Sequence, residues 1–291
     1  MSKTCSATKM EREGAGNRRR VPIEIGKLID DDHSGMRRDA HTTLSFVMAC
    51  YNRACMPLDL KALASFDTPT ICNTIELFEV RPRSAGYMDS RIRACFPEMR
   101  PAVGYAATVT MRCAEPRREG DVYGSLDQQV ARFAELPGPP IVVFQDLDDP
   151  PVAATFGEIM CTTYQAFGAQ ALITSGAARD LDQVRRLGFP AFSNGAICSH
   201  GYSHIVDLHC PVRVGGLTVR AGDLLHADAN GVASIPLEIA GEVADAAVEF
   251  MAAEALVLDY LKPGTPQVPA FADARRAMMD ALGALSRRLR R

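Results

Sequence analysis

A mixed α/β fold is predicted by two observations. Between residues 103 and 192, short apolar runs rich in β-branched residues alternate with stretches of helical period, and after Cys210 the pattern changes to brief strands separated by glycine turns. Strands that alternate with helices at this spacing favour parallel pairs joined by right-handed crossovers, which gather binding loops at the strands' carboxyl ends.

Residues 1–40 mix charged residues and glycine without apolar periodicity, include the Arg18-Arg19-Arg20 run, and are expected to be a disordered extension. The apolar stretch Leu44 to Met56 is broken by Asn52 and Arg53 and reads as neither a membrane span nor a secretory signal. The folded domain is expected to begin near Leu58, where Leu60, Leu63 and Phe66 keep helical spacing. In the following Asp67-Thr68-Pro69-Thr70, the Asp or Thr caps a helix starting near Pro69.

Val103 to Arg112 is β-branched and small, as in a strand, and Ser125 to Leu136 reads as a helix. Ile141 to Phe144 is a buried strand, Gly157 to Phe167 a helix, Ala171 to Thr174 a strand, Leu181 to Leu187 a helix, and Ala191-Phe192 the next strand. Beyond Cys210, Pro211–Val214, Leu217–Val219, Leu224–Ala227 and Val232–Ile235 predict a β-meander that closes a barrel or sandwich. A long helix is expected from about Glu238 to Leu261, stopped by Pro263-Gly264. In the last segment Met278, Leu282, Leu285 and Leu289 share one face of a basic helix, suited to packing on a neighbour or to solvation rather than to a membrane. The domain plan is therefore an extension (1–40), a main folded domain (58–262), and a linker with an amphipathic helix (263–291).

Composition removes some classes of function. The 32 basic and 35 acidic side chains leave a formal charge of −3, so no bulk field draws this chain to nucleic acid or anionic lipid. Nine cysteines without a C-x-x-C pair fit reduced thiols in a cytoplasm. Neither G-x-S-x-G nor G-x-G-x-x-G occurs, which leaves serine hydrolases and dinucleotide enzymes without support.

The sharpest local feature is Gly157-Glu158 at a helix start, followed after the next strand by Ser175-Gly176-Ala177-Ala178-Arg179-Asp180. A helix amino terminus offers unpaired N–H groups to a carboxylate. An arginine on the next loop can grip the same carboxylate with two parallel bonds, and an aspartate beside it is a hard oxygen ligand for a magnesium-like ion. Taken by spacing alone, an Arg-Asp pair after a glycine turn is more often a cap or a surface ion pair.

Glu158, twenty residues (159 to 178), and then Arg179-Asp180 is similar to the acidic-x20-Arg-Asp signature of the regulator of ribonuclease activity A-like (RraA-like) family, which includes the 4-hydroxy-4-methyl-2-oxoglutarate aldolases. The resemblance extends to Phe66–Thr70, Phe189–Phe192, Gly216–Asp223 and Asp228–Val232, covering roughly Leu58 to Leu261. It implies a swivelling β/β/α domain, a central mixed sheet or barrel with flanking helices, assembled as a homotrimer or hexamer with sites at subunit boundaries. It further implies that the backbone of Gly157, Glu158, Ile159 and Met160 and the guanidinium of Arg179 hold a pyruvoyl carboxylate. Asp180 would ligate Mg2+ or Mn2+, Glu158 would orient water at the metal, and Glu254 of an adjacent subunit, or alternatively Glu249, would complete the site.

The implied activity is a class II pyruvate aldolase that also decarboxylates oxaloacetate through the same pyruvate enolate. No lysine stands in these loops to form an imine, which favours the metal route. Ser175 occupies a position where the family often carries an acid, and the segment Ser199–His204 is unlike the best-known aldolases, so another 2-oxo acid is an alternative substrate. A protein-binding regulator of ribonuclease activity is the alternative of a different class. His200, His204 and His209 invite a zinc reading through His-x3-His on a helix, against which Gly201 and the β-rich flank argue. Asp146, Asp148 and Asp149 read as a solvated loop rather than as further ligands.

Overall fold

The computed structural model describes residues 58–119 and 124–290, so the expectations for residues 1–40 and for Leu44 to Met56 lie outside the described residues. The scaffold is an eight-stranded mixed sheet. Its spine is β2 (Ala102–Arg112), β3 (Pro140–Asp146), β5 (Ala171–Thr174) and β7 (Ala191–Ser193), which run parallel in the order β7-β5-β3-β2. The short β1 (Arg93–Ala94) closes the β7 edge antiparallel. The long β2 serves two partners on its other edge: its first half pairs with β11 (Leu224–Asp228), which carries β12 (Gly231–Ile235), and its second half pairs with β8 (His204–Leu208).

Burial on both faces explains why β3 reads as an unbroken apolar run. Val142 and Phe144 join Val109, Leu172, Cys161 and Tyr164 on one face, under the helices α4 (Glu158–Ala166) and α5 (Leu181–Leu187). Ile141 and Val143 join Ile173, Phe192 and Leu225 on the other, under Val212, Val214 and Val219. Each fully buried side chain of this size contributes about 1.5–3 kcal/mol by leaving water. A third cluster joins α2 (Thr68–Phe78) and α6 (Ala240–Leu261) to the lower ends of β2 and β11 through Ile71, Ile75, Val103, Leu224 and Val243.

The predicted meander is only partly right. β9 (Val212–Val214) and β10 (Leu217–Val219) form their own two-stranded sheet, whereas β11 and β12 belong to the main sheet. The cause is the turn at Arg220–Asp223: Arg220 N–H donates to the Asp223 carboxylate (2.8 Å), and Gly222 and Asp223 exchange backbone bonds with Ala106 of β2. That anchors the chain on β2 before β11 begins. The helix expected over 125–136 is α3 (Leu126–Ala131) followed by a 3-10 turn, Arg132–Glu135, a common way to tighten a helix end.

At the start of the described chain, Asp59 caps α1 (Leu60–Leu63) and Asp67 caps α2 through Thr70 N–H (2.8 Å). The last helix, α7 (Val268–Leu289), packs within its own chain: Leu285 is buried, and the Ser286 hydroxyl donates to the Leu77 carbonyl (2.8 Å). No helix among the described residues is long and apolar enough to cross a membrane.

Candidate active site

The twenty-residue spacing between Glu158 and Arg179 is the length of one excursion out from the sheet and back. The chain leaves β4 (Ala154–Phe156), runs through α4 and β5, and returns as β6 (Ala177–Ala178), which pairs parallel to β4. Arg179 N–H then donates to the Phe156 carbonyl (3.2 Å). The starts of α4 and α5 therefore lie side by side, and Glu158, Arg179 and Asp180 share one open cleft of about 340 Å3.

Within it the contacts are close. Asp180 Oδ2 accepts from the Glu158 N–H (3.0 Å) and lies 3.8 Å from Arg179 Nε. Both side chains are about one-third exposed. Gly157 has extended backbone that any residue adopts, so its requirement is space: an added Cβ would fall 2.4 Å from Asp180 Oδ2 and 3.0 Å from Arg179 Nε. Asp180 itself sits in the left-handed region (φ 54°), a conformation an aspartate reaches more readily than most residues but at a cost of order 1 kcal/mol. It tilts the carboxylate back over the α4 terminus.

Of the first-turn donors on α4, the Glu158 N–H is thus engaged by Asp180, while those of Ile159 and Met160 have no acceptor inside the helix. Ile159 and Glu158 are exposed, and Met160 is partly buried against the core. Glu254 and Glu249 are not among the walls of this cleft. Glu254 lies half-buried on α6, and Glu249 is bonded to Arg288 of α7.

One wall, Thr155, escaped sequence reasoning; the other comes from the Ser199–His204 segment that bears on substrate choice in the sequence. Thr155, two residues before Gly157, lies on the floor, where Gly176 N–H donates to Thr174 Oγ1 (2.9 Å) and Thr174 Oγ1 donates to Thr155 Oγ1 (3.1 Å). His200 and Ser203 form the opposite wall. As Gly201 and the β-rich flank indicated, no helix runs through His200 and His204: His204 opens β8 and is buried, His200 stands exposed in the preceding turn, and His209 meets Glu135 (3.2 Å). Burial, then the nearby Arg132, holds the His209 imidazole below its usual range.

Asp146 departs from the solvated loop expected of it. It ends β3 at 6% exposure, with Oδ1 accepting from Asp148 N–H (3.0 Å) and Oδ2 buried without a partner. Burial raises its carboxyl to about 6 despite the Asp148 N–H bond, and the charges of Asp148 and Asp149 add to the rise. Ser175 Oγ accepts the Asp146 N–H (2.9 Å), so the serine belongs to a neighbouring hollow of about 250 Å3 rather than to the Arg179 cleft. Asp148 is spent on the backbone N–H groups of Cys113 and Ala114. The thiols offer no nucleophile here: burial pushes Cys113 up to about 12 and Cys161 higher still.

For a divalent cation the cleft offers the Asp180 carboxylate, about one-third exposed with Oδ1 on its free side, and the exposed Glu158 carboxylate at the head of α4. Among the described residues no group of three or more His, Cys, Asp or Glu converges. One or two carboxylates supplemented by water and substrate oxygens fit magnesium, which retains much of its hydration shell in proteins.

The segments Phe66–Thr70 and Asp228–Val232 meet away from the cleft. Asp228 accepts from the N–H groups of Thr68 and Asn230 (2.8 Å each), and the neutral His226 donates through Nε2 to the Leu63 carbonyl (3.2 Å) while Nδ1 accepts from the Thr68 hydroxyl (2.9 Å). Burial holds His226 below its usual range. These residues fasten α2 to β11.

Known proteins bear on this geometry. A Halalkalibacterium halodurans protein provisionally named 4-hydroxy-4-methyl-2-oxoglutarate aldolase is 31% identical over 107 residues, 36% of this chain and 50% of that protein. Protein DlpA of Legionella pneumophila is 25% identical over 112 residues, 38% of this chain and 18% of DlpA. The chain thus spans half or less of the length of these curated relatives. Two crystal structures share the fold: an uncharacterised Pseudomonas syringae protein (TM-score 0.58, 21% identity, 76% of this chain and 92% of that one) and RraAS2 of Streptomyces coelicolor (TM-score 0.54, 22% identity, 67% and 92%). The RraA-like family model, described as Aldolase/RraA, matches residues 68–233, a span that holds both the cleft and the strands that build it, and the chain belongs to that family.

Proposed function

We propose that this chain is a divalent-metal-dependent carbon–carbon lyase that cleaves 4-hydroxy-4-methyl-2-oxoglutarate, or a similar 4-hydroxy-2-oxo acid, to pyruvate and decarboxylates oxaloacetate at the same site. The observation that carries this reading is the convergence of Arg179, Asp180 and the α4 amino terminus in one solvent-open cleft. The resemblance to a protein provisionally named as such an aldolase supports it.

Arg179 and the first-turn N–H groups of Ile159 and Met160 would hold the substrate's C1 carboxylate, the guanidinium through a planar paired contact. Asp180 would hold Mg2+ or Mn2+, which supplies Lewis acidity at the C2 oxygen. Glu158, exposed at the head of α4, would orient water over the reacting carbon. Positive groups are then concentrated where enolate charge develops. Both reactions break the bond beyond C3 and leave pyruvate enolate, which is why one cleft can serve both.

The catalytic domain in this reading is residues 58–262 of a cytoplasmic homotrimer or hexamer, with Glu254 reaching the cleft of an adjacent subunit. Val248, Met251 and Leu258 are exposed on the same helix at helical spacing, an apolar row of the kind a subunit contact covers.

Pyruvate release from both substrates, measured with magnesium, with manganese and with chelator, on wild type and Asp180→Asn, tests the proposal. Turnover that requires metal and falls at least about tenfold in the variant is expected, as for loss of a metal ligand. Turnover indifferent to chelator would overturn the metal role, and silence on both substrates would favour the regulator.

A further inference from the structure

We infer that His200 is the proton-transfer residue of the cleft: its Nε2 takes the proton of the substrate's C4 hydroxyl during aldol cleavage. This assignment rests on the lyase reading and adds to it the group that carries the proton.

His200 lines the same cleft as Arg179 and Asp180, on an exposed wall. Its tautomer is fixed by a neighbour. Nδ1 lies 2.8 Å from the Gly201 carbonyl, and a carbonyl only accepts, so Nδ1 carries a hydrogen and, in the neutral ring, Nε2 keeps its lone pair. An imidazole in that state is a base. The other acidic or basic groups of the cleft have other roles in this reading: Arg179 has no lone pair to offer, Asp180 accepts the Glu158 N–H through Oδ2 and would hold the metal through Oδ1, and Glu158 would orient water. An imidazole nitrogen can both take and return a proton, which the cleavage requires in its two halves.

The turn that carries His200 is fastened on both sides. Ala154 N–H donates to the Ser199 carbonyl (2.7 Å), which ties the turn to the strand leading into Gly157, and Tyr202 N–H donates to the Cys113 carbonyl (2.9 Å). Within the turn, Ser203 N–H donates to the His200 carbonyl (3.1 Å). Gly201 is required there: its φ is +50°, and a Cβ would lie 2.6 Å from the Cys113 oxygen. A solvated surface histidine needs no such bracing, whereas a base must be held near one reacting atom.

The step balances without an outside reactant. The O–H bond at C4 breaks and its proton bonds to Nε2. The oxygen's electron pair forms the new C4 carbonyl as the C3–C4 bond breaks, and the electrons of that bond become the C2–C3 double bond of pyruvate enolate. The imidazolium then returns the proton to C3, giving pyruvate and a neutral histidine. Oxaloacetate decarboxylation breaks its bond by loss of carbon dioxide and has no hydroxyl proton to remove, so it does not need a base in that step.

That asymmetry supplies the test. In His200→Gln, cleavage of 4-hydroxy-4-methyl-2-oxoglutarate should fall about 100-fold or more, the usual effect of losing a general base, while oxaloacetate decarboxylation falls less than about tenfold on the same scale. The acidic limb of the cleavage pH profile should disappear with the imidazole, and added imidazole should restore part of the cleavage in His200→Ala. Equal loss of both reactions would make His200 a structural residue, and unchanged cleavage would remove it from the chemistry; either overturns the assignment. Wild-type protein that decarboxylates but does not cleave overturns it while leaving the lyase, whereas wild-type silence on both substrates overturns the lyase reading itself.

Discussion

Two polar clusters occupy the motif-bearing parts of this chain, and they are built on opposite terms. Around Thr68, His226 and Asp228 the groups are buried, and Thr68 N–H, both His226 nitrogens and both Asp228 oxygens find partners. Around Gly157, Arg179 and Asp180 the Arg179 and Asp180 side chains stand about one-third exposed, with the aspartate in a left-handed conformation and first-turn helix N–H groups that have no acceptor inside the helix. Both clusters carry family-like residues, so motif density does not separate scaffold from chemistry. Saturation does: a filled hydrogen-bond set under cover serves the fold, and an open set at a helix terminus is available to a ligand.

If this contrast holds, substitutions in the two clusters must fail differently. The largest effect belongs to Arg179→Lys. It keeps the charge but replaces a planar fork by a point charge, and turnover should fall by about 100-fold or more, roughly 3 kcal/mol of transition-state stabilisation. The melting temperature should stay within a degree or two of wild type, as for a partly exposed side chain without a core role. Comparing kcat/KM with thermal melts checks both halves. Retained turnover would take Arg179 out of the site, and a large loss of stability would move it to the scaffold.

Asp228→Ala should show the reverse. It orphans the buried N–H of Thr68 and removes the brace on Asn230, at a cost of about 2–4 kcal/mol, while activity per folded molecule is preserved. Denaturant titration with activity measured at equal folded fraction reads the two quantities. A loss of turnover without loss of stability would erase the distinction between the clusters.

How much of this was legible in the sequence follows the same division. Periodicity found the spine strands β2, β3, β5 and β7 and placed α5 at its observed ends, because each element's pattern is set by its own burial. It could not assign the partners of β10 and β11, since pairing depends on where the Arg220–Asp223 turn anchors. Arg179 and Asp180 were singled out through their match to the family's acidic-x20-Arg-Asp signature, a spacing that corresponds here to one β-α-β passage. Thr155 was not placed in the cleft, because it arrives there from β4 through backbone bonds that leave no local mark, whereas the His200 segment stood out only as one that bears on substrate choice. Gly201 is the nearest thing to a signal, being a glycine that both its φ and its surroundings require.

Asp146 sharpens the comparison because it belongs to neither class: its burial is that of the scaffold, yet Oδ2 lacks a partner. Gly176 packs against it, where a Cβ would lie 2.6 Å from Asp146 Oδ2 and 2.1 Å from Thr155 Oγ1. The folded chain keeps the Asp146 proton up to about pH 6, against an ordinary value of 3.8. Across that window the folded state binds more protons than the unfolded state, so stability falls as pH rises from about 4 to about 6 and remains lower above it. Asp148, Asp149 and Cys113 are the titratable groups coupled to it, and none supplies a compensating positive charge. Asp146→Asn never ionises, keeps an acceptor for Asp148 N–H and brings an amide donor beside Thr155. It should therefore be more stable than wild type at pH 8 by roughly 3 kcal/mol, the order expected of a shift of this size, with the difference nearly gone at pH 4. Urea titrations at the two pH values decide it. A difference that is the same at both would mean that the proton is not held, and a less stable variant at pH 8 would mean that the charged carboxylate has a use in the folded protein, which would place Asp146 with the site rather than the scaffold.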